Sequence, residues 1–506
     1  MPDIVLATLN AKYLHAALGL RYLAANLGEL ERCAAIREFV VDQRPAEIVE
    51  DLLGQRPRIV GLGVYIWNVD ASLRVAALIK AVAPEVILVL GGPEVSHETA
   101  AQPIAALADY VITGWGDISF ARLCRAILAG AAPARGIIAG EQPPLAQIEL
   151  PYRLYDEADI AHRVTYVEAS RGCPYKCEFC LSALDRTAWP FDLDRLLGEL
   201  DRLHARGARH FKFVDRTFNL AAAASARVLE FFLDRLDERL FLHFELVPDR
   251  LPATLEPAIA RFPPGALQFE IGIQTFDPQV QARISRRQDD AAAERNLRWL
   301  RAHTHAHLHV DLIAGLPGED LAGFGRGFDR LLALDPHEIQ VGILKRLRGA
   351  PIDRHTEAFA LRWNPHPPYE ILATDRIGFA DMQRLGRFAR YWDLIGNSGR
   401  FARTRTLIAG AAPFARFMAL FDWLYARTRQ THRFAADRLF DLLAEGLPEA
   451  LGIDRDAARD ALCADYAASG LRGSPRSLAP APVATPRAGA RAHARRQARH
   501  RRDAGG

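Results

Sequence analysis

Twice along this chain, apolar strand-like runs alternate with amphipathic helix-like stretches, and no other feature limits its fold so strongly. The first series offers strands at 4–9, 36–41, 59–65, 86–90 and 110–113, with helical patterns at 16–27, 71–83 and 120–128. The second offers strands at 164–169, 210–214, 241–246, 267–273, 309–313 and 339–344, separated by helical stretches at 193–205, 221–236, 291–303 and 324–334. Runs such as Ile4-Val5-Leu6-Ala7 are apolar at consecutive positions. That is the pattern of strands buried on both faces, and such strands interleaved with helices form parallel sheets. The chain therefore reads as α/β, in units 1–140 and 163–346 joined by a proline-containing linker at 141–162. From about residue 347 the strand signal gives way to helical patterns at 375–394, 414–427, 435–443 and 454–468. They mark a mainly helical unit over 347–472, expected to cover the mouth of the second unit.

Ligands of parallel α/β sheets bind beyond the carboxyl ends of the strands. In the first unit those ends run into Asn10 to His15, Ile66-Trp67-Asn68, Gly91-Gly92-Pro93 to Ser96, and Gly114-Trp115-Gly116-Asp117. Paired glycines directly after a buried strand let a flat ligand or a phosphate approach the backbone. In the second unit, the first strand is followed by Arg171-Gly172-Cys173-Pro174-Tyr175-Lys176-Cys177-Glu178-Phe179-Cys180. The spacing C-x3-C-x2-C puts three thiolates on one loop and supplies no fourth. A [4Fe–4S] cluster held by three thiolates keeps one iron open, and an open metal position is where chemistry occurs. A structural zinc loop would call for a second C-x2-C pair, which the sequence lacks. Tyr175 and Phe179 are placed to shield a cluster. The remaining cysteines, Cys33, Cys124 and Cys463, stand singly and read as small core hydrophobes rather than a disulfide framework.

The decapeptide resembles the signature of the radical SAM superfamily, and the order of the surrounding elements is similar too. The resemblance implies a [4Fe–4S] cluster on Cys173, Cys177 and Cys180. Its open iron would bind the amino and carboxylate groups of S-adenosylmethionine, and one electron would cleave the sulfonium to a 5′-deoxyadenosyl radical. It also implies that the six β/α units form a partial (β/α)6 TIM-type barrel. Carried over strand end by strand end, the S-adenosylmethionine site would draw on Asp215 and Asn219 after the second strand, with a helix cap as the alternative for Asp215. It would use Glu245 at the end of the third strand, Gln274 after the fourth, and Arg286 near the carboxylate. Gly315, Pro317 and Gly318 after the fifth strand would lie near adenine, or form a plain strand–helix turn.

The first unit resembles the Rossmann-like cobalamin-binding domain that precedes many radical SAM domains, on the strength of the Gly91-Gly92-Pro93 and Gly114–Asp117 loops. The resemblance assigns cobalamin to Asn10, His15, Trp67, Asn68, Gly91, Gly92, Pro93, Ser96, Gly114 and Asp117. Two departures stand out. The D-x-H-x-x-G motif, whose histidine ligates cobalt from below, is absent, and Gly-Trp-Gly-Asp replaces the usual acidic pair. His15 is the nearest substitute ligand, with a hydrogen-bonded loop histidine as the other reading; an empty or substrate-binding module is the alternative for the domain. The helical unit is similar to the C-terminal extension of an uncharacterised branch of cobalamin-dependent radical SAM proteins. His303, His305, His307 and His309 recur with period two but lack a partnering cysteine or acid motif, so they read as structural or substrate-facing.

The net charge of +3 is misleading, because residues 473–506 hold eight arginines and one acid. Without them the body is net negative and offers no surface for nucleic acid. The tail is expected to be a disordered, solvated basic arm. No charged stretch followed by an apolar core opens the chain and no apolar run of about 18 residues occurs, so a soluble, cytoplasmic protein is expected, without a membrane partner. The leading expectation is methyl transfer to an unactivated position of a small or medium substrate, with an external one-electron reductant of flavodoxin or ferredoxin type. The alternatives are radical cyclisation, ring contraction or tRNA modification and, in another class, a non-catalytic iron–sulfur sensor or RNA-binding protein.

Overall fold

The computed structural model describes residues 1–185, 187–473 and 475–478, so the basic tail expected at 473–506 lies outside the described residues beyond 478. Strands β1 (Ile4–Asn10), β2 (Ala34–Val40), β3 (Ile59–Gly63), β4 (Ile87–Gly91), β5 (Tyr110–Thr113) and β6 (Gly136–Ala139) form one parallel sheet in the order β2-β1-β3-β4-β5-β6. Every residue of β1 is buried. Val5, Ala7 and Leu9 belong to the core on one face, Ile4 and Leu6 to the core on the other. This is what a continuous apolar run requires. The chain leaves β1 to one side for β2 and returns to the other for β3. That reversal opens a crevice at the carboxyl ends of β1 and β3.

The second sheet contains β7 (Thr165–Val167), β10 (His210–Phe213), β11 (Phe241–Leu246), β12 (Leu267–Gln274), β13 (His307–Ala314) and β14 (Glu338–Ile343), all parallel and in that order. A short hairpin of β8 (Ser170–Gly172) and β9 (Ala188–Pro190) is inserted after β7 and brackets the cysteine loop. Here burial alternates along the strands. In β12, Phe269, Ile271 and Ile273 are buried while Gln268, Glu270, Gly272 and Gln274 are partly accessible. One face packs under helices and the other faces the interior of an open barrel. Asp192, Asp277, Asp289 and Asp320 cap barrel helices through backbone N–H groups, each cap contributing about 1 kcal/mol.

Residues 141–162, expected as a linker, are packed. Ile148, Tyr152 and Tyr155 are fully buried, and a helix over Glu157–His162 begins with a capping box between Asp156 and Asp159. Asp159 pairs with the buried Arg21 at 2.6 Å, Arg21 with Glu38 at 2.8 Å, and Glu38 with Arg163 at 2.8 Å. The two sheets are thereby locked together.

The C-terminal helices, Phe379–Ile395, Ala402–Ala409, Pro413–Thr428, Ala436–Leu451 and Arg455–Ser469, share one continuous core with the barrel. Phe328 of the barrel helix Leu321–Leu332 meets Trp392 edge-on at 4.8 Å and Phe388 at 5.1 Å. Trp392 Nε1 donates to Ile339 O, and Ile339 N donates to Asn397 Oδ1, both at 2.9 Å. These contacts seal the free edge of β14, a row of unpaired backbone groups that needs a cover. The helical part therefore covers a sheet edge, not the barrel mouth as expected. Among the described residues no single helix is long and apolar enough to cross a membrane; one bent helix pair, Ala402–Ala409 with Pro413–Thr428, passes by length and composition together.

Candidate functional site

Two cavities adjoin at Arg216, one between the sheets and one within the barrel. The larger, about 730 Å³, lies at the crevice beyond β1, β3, β4 and β5. Gly61, Gly63, Gly91, Gly92, Gly114 and Gly116 give it a floor without side chains, and Leu18, Leu20, Phe120, Tyr65 and Trp67 make its walls apolar. Trp67 stacks on Tyr65 with ring centres 4.5 Å apart and half of its surface in solvent, as a lip. The residue after β4 must be glycine: Gly92 has φ of +113° and a Cβ there would lie 2.4 Å from Val64 O. Strand ends and loops of the second unit form the far side, including Tyr166, Glu168, Arg171, Val214 and Arg216.

The smaller cavity, about 230 Å³, is lined by Cys173, Cys177, Cys180, Tyr175, Phe179, Arg216, Glu245, Glu270, Gln274, Arg286 and Asp311, among others. Burial pushes the Cys173 and Cys177 thiols up, and the neighbouring thiols add to the effect. Arg286 opposes it, with Nη1 at 3.5 Å from Cys177 Sγ. Gln274 has φ of +70° at a register shift in β12, and its buried Oε1 finds no hydrogen-bond partner. A strained backbone carrying an unsatisfied acceptor is the mark of a ligand-facing position. Glu245 is held by Arg216 at 3.0 Å; burial pushes its pKa up and Arg216 pulls it back.

Arg216 lines both cavities. Arg171, two residues before Cys173, ties the sheets beside it, with Nη1 3.0 Å from Asp117 Oδ2 and Nη2 2.6 Å from Glu168 Oε1. Its guanidinium lies over Tyr22 and Trp115 at 4.8 and 4.7 Å, contacts favoured where charge meets a π face.

Of the residues singled out from the sequence, Asn10, His15, Trp67, Gly91, Gly92, Gly114 and Asp117 line the larger cavity, and the cysteines, Tyr175, Phe179, Glu245, Gln274 and Arg286 line the smaller. His15 Nδ1 sits 2.7 Å from the Tyr166 hydroxyl, the hydrogen-bonded loop histidine of the second reading. Several others are spent on the backbone. Asn68 donates to Leu9 O at 3.0 Å and accepts from Tyr65 N at 2.8 Å. Ser96 donates to Gly92 O and accepts from Gly114 N, and Pro93 is exposed beside it. Asp215 accepts from Ala169 N and Ser170 Oγ, with burial pushing its pKa up to about 7; it caps no helix. Asn219 donates to Val247 O and Arg250 O and accepts from Val247 N. Gly315 packs where a Cβ would strike Ile371 and Met382, and Gly318 where it would strike Arg283. Gly315, Pro317 and Gly318 form a packed turn outside the lining of either cavity. A polar residue after a strand serves the turn as readily as a ligand, and sequence does not separate the two uses.

Among the described residues no three or more His, Cys, Asp or Glu side chains converge on a single metal ion; a [4Fe–4S] cluster asks for less convergence, because each thiolate meets a different iron. His303 ends a helix and stacks on Trp299, His305 is exposed, His307 faces Glu338 at 3.3 Å, and His309 sits between Glu338 at 3.1 Å and Asp311 at 3.3 Å. Burial works against the His309 charge, but Asp311 and Glu338 outweigh it and lift its pKa to about 10. Sequence reading missed Arg171, Glu168, Glu270, Asp311 and Arg216. Glu168 and Glu270 carried a usable signal, an acid inside an apolar strand, which is costly unless it has a partner.

Residues 4–124 match the B12 binding domain, 167–328 the Radical SAM superfamily and 357–497 a protein of unknown function (DUF4080). The cobalamin-dependent radical SAM methyltransferase TokK of Streptomyces tokunonensis is 26% identical over 67% of this chain and 55% of its own length. The 2-(S-pantetheinyl)-carbapenam-3-carboxylate methyltransferase of Streptantibioticus cattleyicolor is 25% identical over 59% of this chain and 48% of its own. The chain thus spans about half the length of the curated relatives it matches. In fold it resembles the cobalamin-dependent S-adenosylmethionine radical enzyme OxsB with aqua-cobalamin bound, at 15% identity, TM-score 0.62, and coverage of 92% of this chain and 79% of that one. It also resembles the methyltransferase TsrM of Kitasatospora setae with cobalamin and a [4Fe–4S] cluster bound, at 18% identity, TM-score 0.57, and coverage of 73% and 82%. The cofactors of these domains are a [4Fe–4S] cluster with S-adenosylmethionine, and cobalamin. The cavities suit them: three thiols and an unsatisfied amide oxygen in one, a glycine floor between aromatic walls in the other. The chain thus carries a B12 binding domain followed by a Radical SAM superfamily domain.

Proposed function

We propose that this protein transfers a methyl group to an unactivated position of a small or medium organic substrate lying between the two cavities. The observation that carries the reading is the shared wall: Arg216 belongs to both linings, so groups bound in the two cavities would face one substrate, and proximity of that kind supplies much of a rate. When bound, the cluster with S-adenosylmethionine supplies a hydrogen-abstracting carbon radical, and cobalamin supplies the methyl group.

In this reading Cys173, Cys177 and Cys180 hold the cluster, and Tyr175 and Phe179 keep water from it. Gln274, Glu245 and Arg286 orient S-adenosylmethionine. Gly91, Gly92, Gly114, Tyr65 and Trp67 receive the flat face of the corrin, with His15 held aside by Tyr166. Arg216, fixed by Glu245, and Arg171, fixed by Asp117 and Glu168, close the space around the substrate. A one-electron donor of flavodoxin or ferredoxin type would complete the system.

The test is anaerobic reconstitution with iron, sulfide and hydroxocobalamin, followed by S-adenosylmethionine and a strong reductant. Release of both 5′-deoxyadenosine and S-adenosylhomocysteine supports methyl transfer. Release of 5′-deoxyadenosine alone would favour a radical rearrangement or cyclisation, and release of neither overturns the enzymatic reading.

A further inference from the structure

Glu178 sits between two of the cysteines, is 2% exposed, and has every polar group engaged. Its backbone N donates to Ile284 O at 3.0 Å, and its backbone O accepts from Ile352 N at 2.9 Å. Carboxylate Oε1 accepts from Ser285 Oγ and from Arg354 Nη2. Oε2 pairs with His355 Nε2 at 2.8 Å. Ser285 takes this position in the left-handed region, φ +53°, which a serine adopts only when its surroundings hold it there. A buried carboxylate without partners would be costly; here it is met from two sides.

The second side belongs to a segment outside the barrel. Ile352, Arg354 and His355 lie on the short turn Pro351–His355 that follows β14. A few residues earlier the same segment grips the opposite sheet. Arg348 pairs with Glu94 at 3.0 Å and Glu98 at 2.9 Å, and Arg346 pairs with Glu98 at 2.9 Å. Tyr369 donates to Glu94 Oε1 at 2.8 Å. Arg346 also holds Asp353 at 2.8 Å, tying one end of the segment to the other. Glu94 and Glu98 lie two and six residues after Gly92, on the loop whose Gly91 and Gly92 line the larger cavity.

We propose that Glu178 is a positioning residue, and that residues 346–355 form a strap fixing the cysteine loop to the glycine loop of the other sheet. This rests on the reading that the three cysteines hold the cluster. Partners of metal ligands commonly change metal retention by about 10–100-fold when removed. The strap extends that dependence to residues on the other sheet.

The test uses the reconstituted full-length protein and follows iron release to a chelator, with the electron paramagnetic resonance of the reduced cluster. Glu178→Ala and His355→Phe are expected to release iron roughly tenfold to a hundredfold faster and to broaden or shift the cluster signal. Glu178→Gln, which keeps one oxygen acceptor for Ser285 and Arg354 and turns an amide N–H2 toward His355 Nε2, is expected to restore most of the retention. Arg348→Ala, which touches no residue of the cysteine loop, is expected to accelerate release in the same direction, an effect that a purely local packing role would not produce. If Glu178→Ala fails to fold, His355→Phe and Arg348→Ala carry the test alone. Wild-type release rates and signals in those two variants would overturn the proposal. A wild-type protein that takes up no iron would instead remove the reading on which it rests.

Discussion

The two sheets are built from the same topology unit and prepare their cavities in opposite ways. In the N-terminal sheet β1 is buried along its whole length, and the cavity beyond it is apolar and floored with glycine. In the barrel the strands alternate, and their inner positions carry Lys212, His243, Glu245, Glu270, His309 and Asp311. These inner charges are paired rather than neutralised by solvent: Glu270 lies 3.2 Å from Lys212 and 3.0 Å from His243. Burial works against its charge, yet His243 and Lys212 hold its carboxyl well below the usual range. The first cavity selects by shape on its glycine floor and apolar walls, and the charges on its far side, Asp117, Glu168, Arg171 and Arg216, are paired. The second presents fixed charges and dipoles, which act strongly where water is excluded. A flat macrocycle suits the first kind of site, and a zwitterionic, charged ligand suits the second.

The contrast is broken most completely at the cysteines. Replacing Cys173, Cys177 and Cys180 together by alanine is expected to abolish iron binding and the visible charge-transfer absorption while cobalamin binding persists, as read by metal analysis and absorbance. Replacing Cys33, Cys124 and Cys463 should leave the iron content unchanged. Arg216→Lys tests the wall between the sites. Lysine keeps a cation for Glu245 but loses the planar fork, so product formation is expected to drop by roughly 10–100-fold with both cofactors still bound. Equal turnover in that variant would mean that the substrate does not lie against Arg216. Gly91→Leu sharpens the shape argument. A Cβ at Gly91 meets nothing closer than Ile112 O at 3.8 Å, so the fold tolerates it, while the longer side chain intrudes on the floor of the larger cavity. Cobalamin affinity should drop at least about tenfold, close to 1.4 kcal/mol, with iron loading unaffected; unaltered cobalamin titration would remove the glycine floor from the account.

The same contrast explains what was legible in the sequence. β5 and β11 coincide with the strands expected at 110–113 and 241–246, because period and apolarity define them. The strand β6 was not legible: three of its four residues are exposed, and it lies at the sheet edge, where no apolar run is needed. The helix Pro45–Gly54 was missed because charged residues interrupt its narrow apolar stripe of Ile48, Val49 and Leu52. The cysteine loop and the glycine turns were visible since spacing itself is the signal. Asp215 and Asn219 carried the same polar, strand-end signature as Gln274, yet their side chains hold backbone while that of Gln274 faces the cavity. That distinction depends on which neighbouring loop passes nearby, a tertiary fact. The Glu178 contacts depend on residues more than 100 positions away.

The smallest effect concerns charge stored at the barrel's far turn. Glu319 follows Gly318 and is 3% exposed; Oε1 accepts from Thr275 Oγ1 at 2.7 Å, and Oε2 has no partner. Burial raises its pKa from the usual 4.5 to about 8, with the Thr275 bond opposing. The folded state therefore favours the protonated form more than the unfolded state does. The sign follows: its contribution to stability is fully present below the unfolded pKa near 4.5, declines as pH rises through the interval, and is lost above about 8. Glu319→Gln carries no titrating proton there. The unfolding free energy of the variant minus that of the wild type should rise steadily from pH 5 to pH 8, at no more than about 1.4 kcal/mol per pH unit, and level off beyond. Thermal melts of both proteins across that range decide the matter, because a difference independent of pH would mean that Glu319 is solvated and ionised in the folded barrel.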